Sequence, residues 1–277
     1  MTSINCKGKL IDFEIPKVMG ILNVTPDSFY DGGSYKNEKD ILAQAEKMLN
    51  DGATFIDVGA YSSRPGAQDI SVDEECARLI PVVNLLLKNY PDVLLSIDTF
   101  RSKVAQEAVN SGAALINDIS AGFLDEAMLT TIAKLQVPYI MMHMRGTPQT
   151  MKDLTEYEDV VHEVIFYLSE RVAAARALGI NDLIVDPGLG FAKTIAQNFE
   201  LLNATEKLKV LELPILIGLS RKSMITKALG VDSNSALNGT TALNMIALQK
   251  GASILRVHDV KEAVQTVRLH QALKGSN

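Results

Sequence analysis

Cysteine is scarce. Cys6 and Cys76 are the only two in 277 residues, and they offer neither a disulfide framework nor metal-ligand spacing. Free thiols fit a reducing compartment, so a cytoplasmic location is expected. Positive charge is not in surplus: the formal net charge is −6, which argues against a general binder of nucleic acid or membrane surfaces. Any anionic ligand must then be held by a local basic cluster. No run approaches the roughly 20 apolar residues of a membrane span. The charged first 17 residues lack the continuous apolar stretch of a signal peptide. No linker, low-complexity tract or charge run divides the chain, so one domain over 1–277 is expected. With 47% of residues hydrophobic and 22% charged, the chain can fill a sizeable core and is no disordered tail.

Eight short apolar runs stand out, at 18–24, 54–59, 93–98, 114–119, 138–143, 183–186, 214–219 and 253–257. They are rich in Ile, Val and Leu without polar alternation, as parallel strands buried on both faces should be. Segments of helical period separate them. Ile41, Leu42, Ala45, Met48 and Leu49 form one stripe, and Leu79, Ile80, Val83, Leu86 and Leu87 another. Ser71 and Glu74 have the spacing of a capping box. Val164, Leu168, Val172 and Ala175 continue the pattern, and Gly52, Gly112, Gly179 and Gly251 fall where helices should stop. Eight β-then-α units in this length predict a closed (β/α)8 TIM barrel, with a doubly wound open sheet as the alternative. The first 17 residues are expected to form a short extension, a hairpin closing the barrel floor.

The runs end on polar residues: Asn23, Asp57, Asp98, Asn117 with Asp118, His143, Asp186, Ser220-Arg221-Lys222, and Arg256 with His258. A single Asp there could be a helix cap. Eight polar ends at the C-terminal rim, where barrels of this class build their active sites, are costly to desolvate without a ligand. Asp98, Asn117 and Asp186 suit a flat, nitrogen-rich heterocycle with adjacent N–H and NH2 donors. Arg64, Arg221, Lys222, Arg256 and His258 suit phosphate or carboxylate. The stretches 24–33 and 59–66 have the glycine, proline and hydroxyl content of lids on that rim. His162 and His270 lie in helical stretches and are expected at the surface. No Ser-His-Asp or Cys-His arrangement is identifiable, so no covalent enzyme intermediate is expected.

Several long motifs occur in order: Met19-Gly-Ile-Leu-Asn-Val-Thr-Pro-Asp-Ser-Phe29, Ser96-Ile-Asp-Thr99, Ile116-Asn-Asp118, Asp186-Pro-Gly-Leu-Gly-Phe191, Gly218-Leu-Ser-Arg-Lys-Ser223 and Arg256-Val-His-Asp-Val260. Through them the chain resembles the dihydropteroate synthase family from end to end. The resemblance implies a transferase of folate biosynthesis. Such an enzyme joins 6-hydroxymethyl-7,8-dihydropterin diphosphate to 4-aminobenzoate, giving 7,8-dihydropteroate and pyrophosphate. It implies pterin contacts from Asp98, Asn117, Met142, Asp186, Gly190, Lys222 and Arg256, and diphosphate contacts from Asn23, Ser63, Arg64, Arg256 and His258. Phe29, Pro65, Phe191, Lys222 and Ser223 would surround 4-aminobenzoate. Asn23 would hold Mg2+, an ion that takes few protein oxygens and fills its octahedron with diphosphate and water. The catalytic roles would fall to Asp98, Arg64, Lys222 and His258. Pyrophosphate would leave early, and a cation would form on the pterin methylene carbon. A homodimer is implied, as is competition by sulfonamides.

One departure is visible. The commoner second loop reads Gly-Gly-Glu-Ser-Thr-Arg-Pro-Gly, whereas here Ala60, Tyr61 and Ser63 replace the second Gly, the Glu and the Thr. Ser63 keeps the hydroxyl; Tyr61 removes a charge and puts the loop's packing in question. Rival readings are a methyltetrahydrofolate:corrinoid methyltransferase-type barrel, a non-catalytic pterin-binding relative, and a plain sugar-phosphate barrel. The first has no need of diphosphate groups, the second should have lost Asn23, Arg64 or Lys222, and the third leaves two carboxylates and an amide unexplained.

Overall fold

The computed structural model describes residues 3–24, 30–31, 34–35, 38–62 and 69–275, with 30–31 and 34–35 as backbone only. Strands β1 (Ser3–Cys6) and β2 (Lys9–Asp12) form the expected antiparallel hairpin. Then come β3 (Lys17–Asn23), a short antiparallel pair β4 (Tyr30–Asp31) and β5 (Ser34–Tyr35), and the remaining barrel strands. These are β6 (Phe55–Gly59), β7 (Leu94–Asp98), β8 (Leu115–Asp118), β9 (Tyr139–Met142), β10 (Leu183–Asp186), β11 (Leu216–Ile217) and β12 (Ile254–Val257). They pair in parallel in the order β10-β9-β8-β7-β6-β3-β12-β11. A parallel bridge between Val185 and Ile215 joins the two ends, and the Val185 N–H donates to the Pro214 carbonyl at 3.0 Å. The sheet is therefore a barrel and not an open doubly wound sheet.

Helices α1 (Glu38–Asn50), α2 (Val72–Asn89), α3 (Ser102–Asn110), α4 (Met128–Leu135), α5 (Val160–Ala177) and α6 (Ile195–Asn203) alternate with the strands. Two helices, α7 (Ser223–Leu229) and α8 (Leu237–Gln249), share the connection after β11, and α9 (Val260–Leu273) ends the described chain. The four glycines expected to stop helices all have left-handed φ. The capping box of α2 is half made. Ser71 Oγ accepts from the Glu74 N–H at 3.1 Å, but the Glu74 carboxylate turns away to Arg78. The buried face of α2 includes Val82 and Glu75 with Leu79, Val83 and Leu86, while Ile80 and Leu87 are only partly covered.

His270 corrects an expectation. It lies on the stripe of α9 formed by Val260, Ala263 and Val267 and is 3% exposed; His162 is at the surface as expected. Burial lowers the His270 pKa.

Side-chain parity organises the barrel interior. Met19, Phe55, Leu94, Leu115, Ile140, Ile184, Leu216 and Ile254, one from each strand, form a closed apolar layer with Ile4, Cys6 and Ile11 of the hairpin beneath it. The thiol of Cys6, pushed up to about 12 by burial, is inert there. The residues between, such as Ile56, Val58, Leu95 and Ile97, face the helices. Two positions beyond the apolar layer stand Ile21, Asp57, Ser96, Asn117, Met142, Asp186, Gly218 and Arg256. Two beyond that lie Asn23 and Asp98 in the strands and His258 just past β12. The hydrophobic floor thus ends in a polar mouth at the C-terminal rim.

Candidate active site

Arg256 sits at the centre of the mouth. Its Nε donates to Asp57 Oδ2 at 2.5 Å and its Nη2 to Asp98 Oδ2 at 2.6 Å. Asn117 Nδ2 donates to the same Asp57 oxygen at 3.1 Å. One carboxylate from β6 therefore holds both the guanidinium from β12 and the amide from β8. Asp57 is fully buried, and its Oδ1 has no partner among the described residues. Burial pushes the Asp98 carboxyl up to about 7, against the pull of Arg256. Burial also works against the Arg256 charge, but Asp57 and Asp98 outweigh it and hold the guanidinium above its ordinary value.

The other side of the mouth is the connection from β10 to α6. Asp186 Oδ1 accepts the Gly188 N–H at 2.7 Å, and burial raises its pKa while Lys222 opposes the rise. Lys222 precedes α7. Its Nζ donates to the Leu189 carbonyl at 2.5 Å and lies 4.8 Å from the centre of the Phe191 ring. Burial lowers its pKa to about 8, with Asp186 resisting. Gly190, at φ +86°, leaves room for the Lys222 stem: a Cβ there would stand 3.0 Å from Lys222 Cδ. Met142 belongs to a small apolar cluster with Ile119, Met144, Met151 and Ala192, against which Phe191 packs. The mouth thus offers carboxylates and an amide to a ring's N–H donors, an apolar wall to its face, and cations beside both.

Comparison with known proteins agrees with this geometry. Residues 19–258 match the pterin binding enzyme family. The chain is 43% identical to the dihydropteroate synthase of Escherichia coli (strain K12) over 268 residues, which is 96% of this chain and 94% of that one. The chain belongs to the dihydropteroate synthase family. Among solved structures of that family, the Yersinia pestis enzyme with a sulfonamide drug complex superposes with TM-score 0.92. It is 41% identical and covers 99% of this chain and 100% of that one. The Xanthomonas albilineans enzyme with 4-aminobenzoic acid gives TM-score 0.91 at 40% identity, covering 98% of each.

The residues that the dihydropteroate synthase resemblance singles out mostly converge. Asp98, Asn117, Met142, Asp186, Gly190, Phe191, Lys222 and Arg256 border one opening, and Arg256 touches Asp98 directly. Asn23 closes β3 opposite Gly59 of β6. Ser223 is the exposed first residue of α7. His258 follows β12, where Ser220 Oγ lies 3.0 Å from its Nδ1 and accepts its backbone N–H at 3.2 Å. Phe29, Ser63, Arg64 and Pro65 lie outside the described residues, as do most of 24–33 and half of 59–66.

Three strand-end residues do not join the mouth. His143 has the opposite parity to Met142, and its ring packs against Tyr157 and Tyr167, with centres 6.2 and 5.0 Å away. Asp118 has the opposite parity to Asn117; it points outward and accepts from Tyr139 Oη at 2.5 Å and from the backbone of Ser120 and Gly122, both at 2.7 Å. Arg221, at φ +57°, turns back and spends Nε and Nη2 on Asp259, at 2.9 and 2.6 Å. Tyr61 is accommodated. It is buried edge-on to Phe100 with ring centres 5.1 Å apart, Arg101 lies 5.2 Å over its ring, and its hydroxyl accepts from Gln149 at 2.9 Å. Arg101 also binds Glu75 at 2.9 Å and Asp69 at 3.0 Å, so residues on both sides of 63–68 are tied to one guanidinium.

Sequence reasoning gave no site role to Asp57 or Lys193. The signal for Asp57 was its parity with Phe55 and Gly59, which places it inward. Nothing comparable marks Lys193.

Proposed function

We propose that the chain condenses 6-hydroxymethyl-7,8-dihydropterin diphosphate with 4-aminobenzoate, releasing pyrophosphate and giving 7,8-dihydropteroate. One observation carries this reading: the ring-binding acceptors Asp98, Asn117 and Asp186 share an opening with Arg256 and Lys222. In this scheme Asp186 and Asn117 hold the pterin edge, and Lys222 donates to its carbonyl and N5 region. The carbon–oxygen bond to the diphosphate breaks first, because an arylamine is a weak nucleophile. The negative field of Asp98 stabilises the resulting methylene cation, and Arg256, His258 and Arg64 hold the departing diphosphate. Phe191 and Met142 exclude water from the cation. The amine of 4-aminobenzoate then attacks the carbon and loses its proton.

Among the described residues no group of three or more His, Cys, Asp or Glu could cage a metal. The donor set suits an ion that arrives with diphosphate and takes one oxygen from Asn23, as Mg2+ does. When bound there, Mg2+ would neutralise charge on the leaving group. We further infer a cytoplasmic location and a homodimer, the second of which light scattering on the purified chain tests. Among the described residues no helix is long and apolar enough to cross a membrane.

The deciding assay is pyrophosphate release. Multiple turnover is expected to require the pterin diphosphate, 4-aminobenzoate and Mg2+ together; turnover that is equally fast without 4-aminobenzoate would remove the reading. The kcat/KM for the pterin diphosphate should follow a bell in pH. It should rise through pH of about 7 as Asp98 loses its proton and fall above about 8 as Lys222 loses its own. Lys222→Arg should carry the alkaline limb above pH 9 whatever its plateau; a limb that stays put belongs to another group.

A further inference from the structure

Lys193, between β10 and α6, is 8% exposed, and no carboxylate among the described residues lies within ion-pair distance of it. Its Nζ instead meets three uncharged acceptors: His143 Nδ1 at 2.9 Å, the Gly188 carbonyl at 3.0 Å and the Phe191 carbonyl at 3.0 Å. An ammonium has three donors, and all are used. The charge is costly in such a place, and burial brings its pKa down to about 7, with Asp186 opposing. His143 does not compete for the proton, because burial beside Lys193 lowers its own pKa to about 2.

Those bonds fall on the two ends of the turn that carries the rest of the site. The Leu189 carbonyl within it takes Lys222 Nζ, and the ring of Phe191 at its far end lies under the same ammonium. Asp186 is anchored independently, as the last residue of β10 paired with Met142 and accepting the His143 N–H at 3.0 Å. Phe191 has no strand to hold it. We propose that Lys193 is a positioning residue for the second substrate: by holding the Phe191 carbonyl it fixes the Phe191 ring as the wall against which 4-aminobenzoate lies. This rests on the functional reading above.

Lys193→Met removes the three donors at nearly constant length. The KM for 4-aminobenzoate should rise about tenfold, one lost hydrogen-bonding group's worth. The calorimetric Kd for 6-hydroxymethylpterin should stay within about threefold, since Asp186 and Asn117 are held by strands. Amides of 189–192 should exchange with deuterium at least about tenfold faster, while that of Gly188, held by Asp186, and those of β9 and β10 do not change. An unchanged KM, a parallel change in both constants, or unchanged exchange overturns the role. Should the Met variant fail to fold, Lys193→Gln, which keeps two donors, is read by the same measurements, with a smaller rise in KM of about threefold expected and an unchanged KM again overturning the role. A wild-type chain that releases no pyrophosphate with 4-aminobenzoate overturns the functional reading, whereas an active wild type with an unaffected variant overturns the role of Lys193 alone.

Discussion

Arg256→Met is expected to lower unfolding stability by about 3–5 kcal/mol above pH 7, and the loss should shrink as the pH falls. The guanidinium bridges Asp57 and Asp98, and without it Asp57 keeps only Asn117 Nδ2 at 3.1 Å. Two buried carboxylates then face each other, and in a low dielectric they do not both stay ionised. Asp98 is already held up to about 7, chiefly by burial, with Arg256 pulling the other way; removal of that pull raises it further. The folded state then keeps a proton that the unfolded chain releases near the ordinary value of 3.8, so stability rises as pH falls through the raised pKa. Urea unfolding at pH 5, 7 and 8.5 measures this. The double variant Arg256→Met with Asp57→Asn should recover most of the loss at pH 8.5 without recovering activity. An equal loss at all three pH values would assign Arg256 a packing role and remove the charge network from the account of the mouth.

That network also shows where sequence patterning stops. The eight apolar runs became eight strands, and the polar residues closing them reached one rim, because parallel strands in a barrel all end on the same side. Residue type and spacing are enough for that much. Direction is a finer matter. Asn117 and Asp118 are adjacent and equally polar, yet pleat parity sends one into the mouth and the other to Tyr139 on the outer side. Arg221 and Lys222 are adjacent and equally basic, yet a left-handed φ at Arg221 delivers it to Asp259. Lys193 and Glu75 belong to the class least expected in an interior, and only the assembled neighbours explain them: three acceptors for one, Thr99 and Arg101 for the other. The Asp57 role could have been argued in advance by counting alternate residues from Phe55. The Lys193 role needed the turn's conformation.

The same turn makes Gly188→Ala a severe change. Gly188 has φ +70°, a region that costs an alanine about 1–2 kcal/mol by itself. A Cβ built there would stand 2.0 Å from the carbonyl oxygen of His143, which is backbone and not a flexible chain end. That carbonyl cannot retreat freely, since the His143 N–H is bonded to the Asp186 carbonyl at 3.0 Å. The turn must open instead. Opening it takes the Gly188 N–H from the Asp186 carboxylate and the Gly188 carbonyl from Lys193. Loss of the bond that orients a buried carboxylate should weaken pterin binding by about 10–100-fold, as read by calorimetry. Unfolding stability should fall by about 3 kcal/mol or more. Gly230→Ala is the matched control: its φ is +67° and a Cβ there meets nothing within 4 Å, so only the left-handed cost remains and pterin affinity should not move. Equal effects at the two positions would mean that the close approach of β9 to the 188–191 turn plays no part in holding Asp186 toward its ligand.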